Sequence, residues 1–406
     1  MRCAVILSDL TYPTSQGLHE QAVELLRYIG EICDEVVVYI YCKDVATLDE
    51  SALALALPDT VAITVVPYSG SALRRGLTNR IFGRARPTEK KIAAEITAFN
   101  PDFVHLDMAV AAGLHRLFKN TPGVISWVDP GSRRQFRFGR SARGTERLPH
   151  FAAGLASYLF ELSCRSRNKT WHVVSPTDRD FLQRLHRGQR VVQIPVALTS
   201  SSNPATSTFR DESSSRDSPV TALVFLDLRV PHLYASFEWL VSECLRPLNA
   251  AETEVRYKVL GRVPMSGELD DLSAGLSVEY LMWVDDLPGA LSGVDFVILP
   301  DQVGTGLKSR AIQALAAGCA VIGTPYAFEG IELESGTHAI VASSAEEWRQ
   351  GIGRLATDSQ TRARLRRFSS DAVRPFEAAA VFERWNALYA DIAAPSPVAA
   401  RRDPGN

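Results

Sequence analysis

The sequence predicts an α/β protein built from two doubly wound parallel sheets, and three observations carry that prediction. Short apolar runs alternate with helical stretches on both sides of one strongly polar segment. A glycine-rich turn, Gly304-Thr305-Gly306-Leu307-Lys308, stands between an apolar run and a helical pattern. The length, 406 residues, is long for one core and suits two domains of roughly 200 residues each.

In chain order, the first run, Cys3–Ser8, is far too short for a membrane span or a signal h-region and reads as a β-strand. A helical stretch, Gln21–Ile29, follows. Strands are then expected at about Glu35–Tyr41, Ala62–Val66, Phe103–Asp107, Val124–Val128, Trp171–Ser175 and Val191–Pro195. Residues 199–219 are rich in Ser and Thr with hardly any apolar side chain but Phe209, a composition that cannot build a core and reads as a flexible linker. Beyond it, strands are expected at Val220–Leu226, Arg256–Leu260, Ser277–Tyr280, Phe296–Pro300 and Ala320–Gly323. The domains expected are therefore 1–198 and 220–376, followed by a helix over 377–392 that packs near or crosses back to the first domain, and a frayed tail over 393–406. Val381, Phe382, Trp385, Leu388 and Tyr389 recur at helical spacing in that helix, as a packing stripe does.

Composition narrows the function. Charged residues make up 22% and hydrophobic ones 46%, near the globular average, so global disorder is excluded. A net charge of −2 excludes a strongly polybasic nucleic-acid binder. The six cysteines are scattered without a CxxC pair and read as reduced core residues of a cytoplasmic protein.

The turn at Gly304–Lys308 has the chemistry of a phosphate site. Glycine lets the backbone approach an anion closely, amide N–H groups at a helix start point outward, and Lys308 brings a positive charge. An ordinary strand-to-helix turn needs glycine too. The continuation, Gly318 to Pro325 and then Glu329-Gly330, completes a strand, turn, helix and strand unit that suits a nucleotide.

Taken in order, Val284-Asp285-Asp286-Leu287, Ala290 to Pro300, Gly304 to Arg310, Ala314 to Gly318 and Thr324 to Gly330 resemble the retaining glycosyltransferases of the family 4 group, with the GT-B fold. Pro101 to His105, Ser126 to Asp129, Val174 to Asp178 and Ile194-Pro195 match more loosely. The resemblance implies two Rossmann-like domains facing across a cleft. It also implies a metal-independent, hexosyltransferase-type transfer from a nucleoside diphosphate sugar to a glycan, lipid-linked or small-molecule acceptor, in polysaccharide or related biosynthesis, with no cofactor.

Lys308, with Arg229 as a second cation, is then expected at the diphosphate leaving group. Gly304, Thr305, Gly306, Leu307, Gln313, Val284 and Asp285 are expected around the donor. Asp129 is a candidate base, and Gly17, His19 and Val128 lie on the acceptor side. Relatives commonly carry two glutamates where this chain has Thr305 and Gln313, and a His-Asp pair where it has Val128-Asp129. Neither Thr305 nor Gln313 supplies charge, although Gln313 still offers a donor and an acceptor to a ribose.

Two basic segments, Arg74–Lys91 and Arg133–Arg147, the second with Phe136 and Phe138 among its arginines, read as solvated faces or as contacts to an anionic membrane surface. The second of these readings places the protein at the inner face of the cell membrane. Alternatives are an epimerase, which needs cleft carboxylates that Thr305 and Gln313 do not provide, and a catalytically degenerate protein that binds nucleotide sugar or glycan and supports a partner enzyme.

Overall fold

The computed structural model describes residues 1–8, 10–12, 17–68, 87–198, 219–251, 254–263, 268–282, 284 and 286–394. Residues 199–218 of the expected linker, Asp285, the basic stretch 74–86 and the tail beyond 394 lie outside them. The chain divides into one unit of Met1–Ala197 with Ala379–Asn406 and a second of Leu198–Ala378.

The first unit holds β1 (Arg2–Ser8), β2 (Glu35–Cys42), β3 (Val61–Pro67), β4 (Phe103–Asp107), β5 (Gly123–Ser126), β6 (Lys169–Val173) and β7 (Val191–Gln193). Their order is β3-β2-β1-β4-β5-β6-β7, paired in parallel throughout. Central strands of such a sheet are covered on both faces, so they must be apolar along their whole length. β1 meets that demand, with Cys3 to Leu7 all buried. The core around it is closed by Phe103, Phe160 and Trp171. The last helix, Ala378–Ala393, supplies Trp385 and Tyr389 to this unit, where Tyr389 stacks on Phe103 at 4.8 Å.

The second unit holds β8 (Val220–Phe225), β9 (Val255–Leu260), β10 (Val278–Leu281), β11 (Phe296–Leu299), β12 (Val321–Gly323) and β13 (Ile340–Val341), in the order β10-β9-β8-β11-β12-β13. Each unit thus reverses its strand order once, between β1 and β4 in the first and between β8 and β11 in the second. Ligands of doubly wound sheets sit at the carboxyl ends of the strands flanking such a reversal.

Every strand expected from the sequence is present, and β13, only two residues long, was too short to show a pattern. Three ends need correction: the runs expected to reach Val128, Ser175 and Pro195 each stop two residues earlier, at Ser126, Val173 and Gln193. After Ser126 the chain bends through Val128 and Asp129, and Pro130 caps the helix Gly131–Ser141. That helix also corrects the basic segment Arg133–Arg147, most of which is helical. Phe136 packs against Phe151 and Phe138 against His150, and both rings are half-buried. All six cysteines are free and buried.

Candidate functional site

In the second unit the Gly304–Lys308 turn follows β11 at the reversal point. Its base is fixed from several sides. Asp301 is fully buried and paired with Arg310, while Thr324 Oγ donates to the Asp301 carbonyl at 2.5 Å and the Gln302 N–H donates to Ser236 Oγ at 3.1 Å. Gly306 has φ +70, a conformation that favours glycine. Gly304 is buried, and a Cβ there would lie 3.2 Å from Lys308 Cε, so the lysine stem occupies the space that the missing side chain leaves.

Lys308 is the N-cap of the helix Ser309–Ala316 rather than part of its first turn. Its ammonium folds back on the turn, donating to the carbonyls of Thr305 at 2.7 Å and Gly306 at 2.8 Å. The charge therefore lies within the turn, beside the positive end of the helix dipole. Thr305, Leu307 and Gln313 are half-buried around it.

Arg229 follows β8, the neighbour of β11. Its Nε lies 3.4 Å from Asp227 Oδ1, and Arg262, following β9, reaches Asp227 Oδ2 at 3.0 Å. A close approach of the two strand exits makes this possible: at Gly261, with φ +142, a Cβ would lie 1.8 Å from the Leu226 carbonyl oxygen. Two guanidiniums on one carboxylate leave net positive charge at this end of the sheet. Val284, by contrast, follows the edge strand β10, which β9 and β8 separate from β11.

The first unit carries a cavity of about 320 Å³ at the carboxyl ends of β1, β4, β5 and β6, closed by the first helix, Gly17–Ile32, and by the last one. Val128 and His19 line it, and His19 Nδ1 bonds Thr11 Oγ1. Gly17 opens the first helix. Asp129 turns to Arg134 at 3.2 Å instead. Its loop is held from below by two buried carboxylates: Glu161 accepts from the Ser132 N–H at 3.1 Å and the Trp127 indole at 3.2 Å, and Asp178 pairs with Arg133 at 2.6 Å.

Reasoning from the sequence missed the polar end of this cavity, where Asp107, Ser126 and His172 meet. The rule that ligands lie at strand ends would have picked Asp107 and Ser126, the last residues of β4 and β5. Burial pushes the Asp107 carboxyl up to about 7, with the facing Ser126 hydroxyl pulling the other way. Met108, the next residue, has φ +62, an unusual backbone for a side chain of its size and of the sort that gathers at functional sites.

A raised carboxyl pKa has a signed consequence. Between its ordinary value of 3.8 and about 7, the unfolded chain ionises Asp107 while the folded chain resists it, so stability falls as pH rises through that window. Asp107→Asn is therefore expected to stabilise the first unit by on the order of 3 kcal/mol at about pH 7.5 and to leave it unchanged near pH 4, read from urea midpoints. A difference that does not vary with pH would contradict this.

Residues 228–358 match the family of glycosyl transferases group 1. Among curated proteins none matches this chain in sequence. Sucrose-phosphate synthase from Thermosynechococcus elongatus is similar in structure, at 14% identity and a TM-score of 0.68 over 98% of this chain and 100% of that one. Anabaena HepE, solved with UDP and glucose, matches at 13% identity with a TM-score of 0.64 over 96% of this chain and 99% of that one. WaaG, a glycosyltransferase of lipopolysaccharide biosynthesis, matches at 12% and 0.61 over 98% and 100%. The fold is therefore GT-B, and the second unit carries the match to the group 1 glycosyl transferases.

Proposed function

We propose that the protein is a retaining glycosyltransferase that moves a hexosyl group from a nucleoside diphosphate sugar to a glycan, lipid-linked or small-molecule acceptor. The observation that carries this reading is the Gly304–Lys308 turn, set at the strand reversal inside the matched region. Departure of the diphosphate builds negative charge on its oxygens. Preorganised donors and cations aimed at that charge are usually the largest part of such catalysis. The Lys308 ammonium is already held in place, and Arg229 and Arg262 share one carboxylate nearby along the sheet, so this chain brings its positive charge in side chains. Gln313 is assigned to the ribose.

Transfer is accordingly expected to persist in excess EDTA. UDP is the first nucleotide to test, since HepE was solved with it. Calorimetry against UDP, GDP, TDP, ADP and CMP and their sugars, followed by a turnover assay, tests the reading. Tight binding of one diphosphate together with sugar release supports it. Binding without turnover transfers support to the degenerate reading, in which the Lys308 ammonium, bonded to two carbonyls, serves only to shape the turn.

We also propose that the first unit meets an anionic membrane surface, which would place the protein at the inner face of the cell membrane. The described part of the Arg74–Lys91 segment is only the start of the helix Pro87–Phe99, so the case rests on Arg133–Arg147 and the helix after it. On that helix, Arg147–Ser163, Leu148, Phe151, Leu155 and Leu159 are exposed at three- and four-residue spacing. Exposed Arg140 and Arg143 stand close by in sequence. No described helix is long and apolar enough to cross a membrane. Sedimentation with anionic vesicles is expected at low salt, to weaken at high salt, and to be lost in Leu155→Glu/Leu159→Glu. Recovery of equal amounts with neutral vesicles would count against it.

A further inference from the structure

The cavity of the first unit has a chemistry of its own. Its walls are apolar, with Leu10, Leu25, Val174, Val381, Phe382 and Trp385 among them, and at about 320 Å³ it is twice the ~150 Å³ that encloses a benzene. Its polar groups gather at one end, and their hydrogen bonds can be assigned by elimination. His172 Nε2 lies 2.9 Å from the Ile194 carbonyl oxygen, which only accepts, so Nε2 carries the proton. Burial keeps the ring neutral, lowering its pKa to about 4. Nδ1 is then a bare lone pair, 3.1 Å from the Ser126 hydroxyl.

Ser126 has only one proton, and the Asp107 carboxyl faces the same hydroxyl. An ionised Asp107 and the His172 Nδ1 are therefore two acceptors for one proton, and the end of the cavity lacks one donor. A protonated Asp107 fills the gap in the empty site. A ligand hydroxyl fills it in the occupied one and leaves Asp107 ionised.

We propose that this cavity receives the sugar acceptor, and that the acceptor is an alcohol with an apolar body: its hydroxyl donates to the Asp107 carboxylate while its hydrocarbon or aromatic part lies against Leu25, Val381, Phe382 and Trp385. The proposal deepens the glycosyltransfer reading and rests on it for the word acceptor alone, because binding of the alcohol to the first unit needs no nucleotide. Asp107 is on this account a positioning residue that orients the hydroxyl.

Linear alkan-1-ols from butanol to decanol, titrated into the full chain without nucleotide, test it. Affinity should rise about fourfold per added methylene until the cavity is full. Each alcohol should bind about tenfold more tightly than the 1-chloroalkane of equal length, a preference that Asp107→Ala removes. Ala22→Phe, which fills the cavity from the first helix, should abolish binding. Should that variant fail to fold, quenching of tryptophan fluorescence by 6-bromohexan-1-ol, lost in Trp385→Phe, locates the ligand independently. A flat chain-length series, equal affinity for alcohol and chloroalkane, or quenching that survives Trp385→Phe overturns the proposal. Alcohol binding with silence toward every nucleotide keeps the cavity and discards the transferase, whereas nucleotide turnover without alcohol binding does the reverse.

Discussion

Lys308→Ala is expected to lower sugar transfer about 10²–10³-fold while changing the stability of the second unit by no more than about 2 kcal/mol. The asymmetry follows from what the ammonium touches. In the folded chain it donates to the Thr305 and Gly306 carbonyls, in a turn that Asp301, Ser236 and Thr324 hold independently. Losing those bonds leaves two carbonyls short of a donor, in space that the truncated side chain opens to water. On the proposed reading, losing the charge removes a preorganised cation from the place where the diphosphate would depart, and water cannot replace that without reorganising. Nucleotide affinity should fall less than turnover, because the glycine turn and the helix start still present their amides. Lys308→Arg, longer and planar, cannot fold back beside Gly304 in the same way and should recover little. Equal losses in nucleotide affinity, turnover and melting temperature would mean that Lys308 only builds the turn.

The strands were legible because a parallel sheet covered on both faces demands unbroken apolar runs, and β1, β8 and β11 write that demand directly into the chain. The Gly304–Lys308 turn was legible for a related reason: its residues are contiguous, so spacing alone reveals them. The cavity of the first unit was not. Asp107, Ser126 and His172 come from three strands and Trp385 from a helix at the far end of the chain, so their meeting depends on strand order and on where the last helix docks. Asp129 was the carboxylate the sequence pointed to, and in the structure it pairs with Arg134. Buried Glu161 and Asp178 were invisible for another reason. Each looks like a surface charge on an amphipathic helix until Ser132, Trp127 and Arg133 are seen to satisfy it.

Trp385→Ala is expected to destabilise the first unit by about 3–5 kcal/mol, because a buried indole is replaced by a cavity that rigid neighbours cannot close. Those neighbours are specific. The indole lies 4.4 Å from the His172 ring, 5.5 Å from His105 and 5.2 Å from Tyr389, and it is 4% exposed. Both histidines are held neutral by burial, His105 down to about 3 and His172 to about 4, so removing the indole also admits water to two rings that exist uncharged because it is excluded. Calorimetry of the two-unit chain should show the loss in one transition only, since the last helix belongs with Met1–Ala197 and not with the second unit. Movement of both transitions together would mean that the units unfold as one. The chemical consequence follows from the same wetting: with Trp385 gone, Asp107 loses part of the desolvation that raises its pKa and should titrate closer to an ordinary carboxylate. The benefit of Asp107→Asn at neutral pH should therefore shrink in the Trp385→Ala background, a coupling that two residues acting separately would not show.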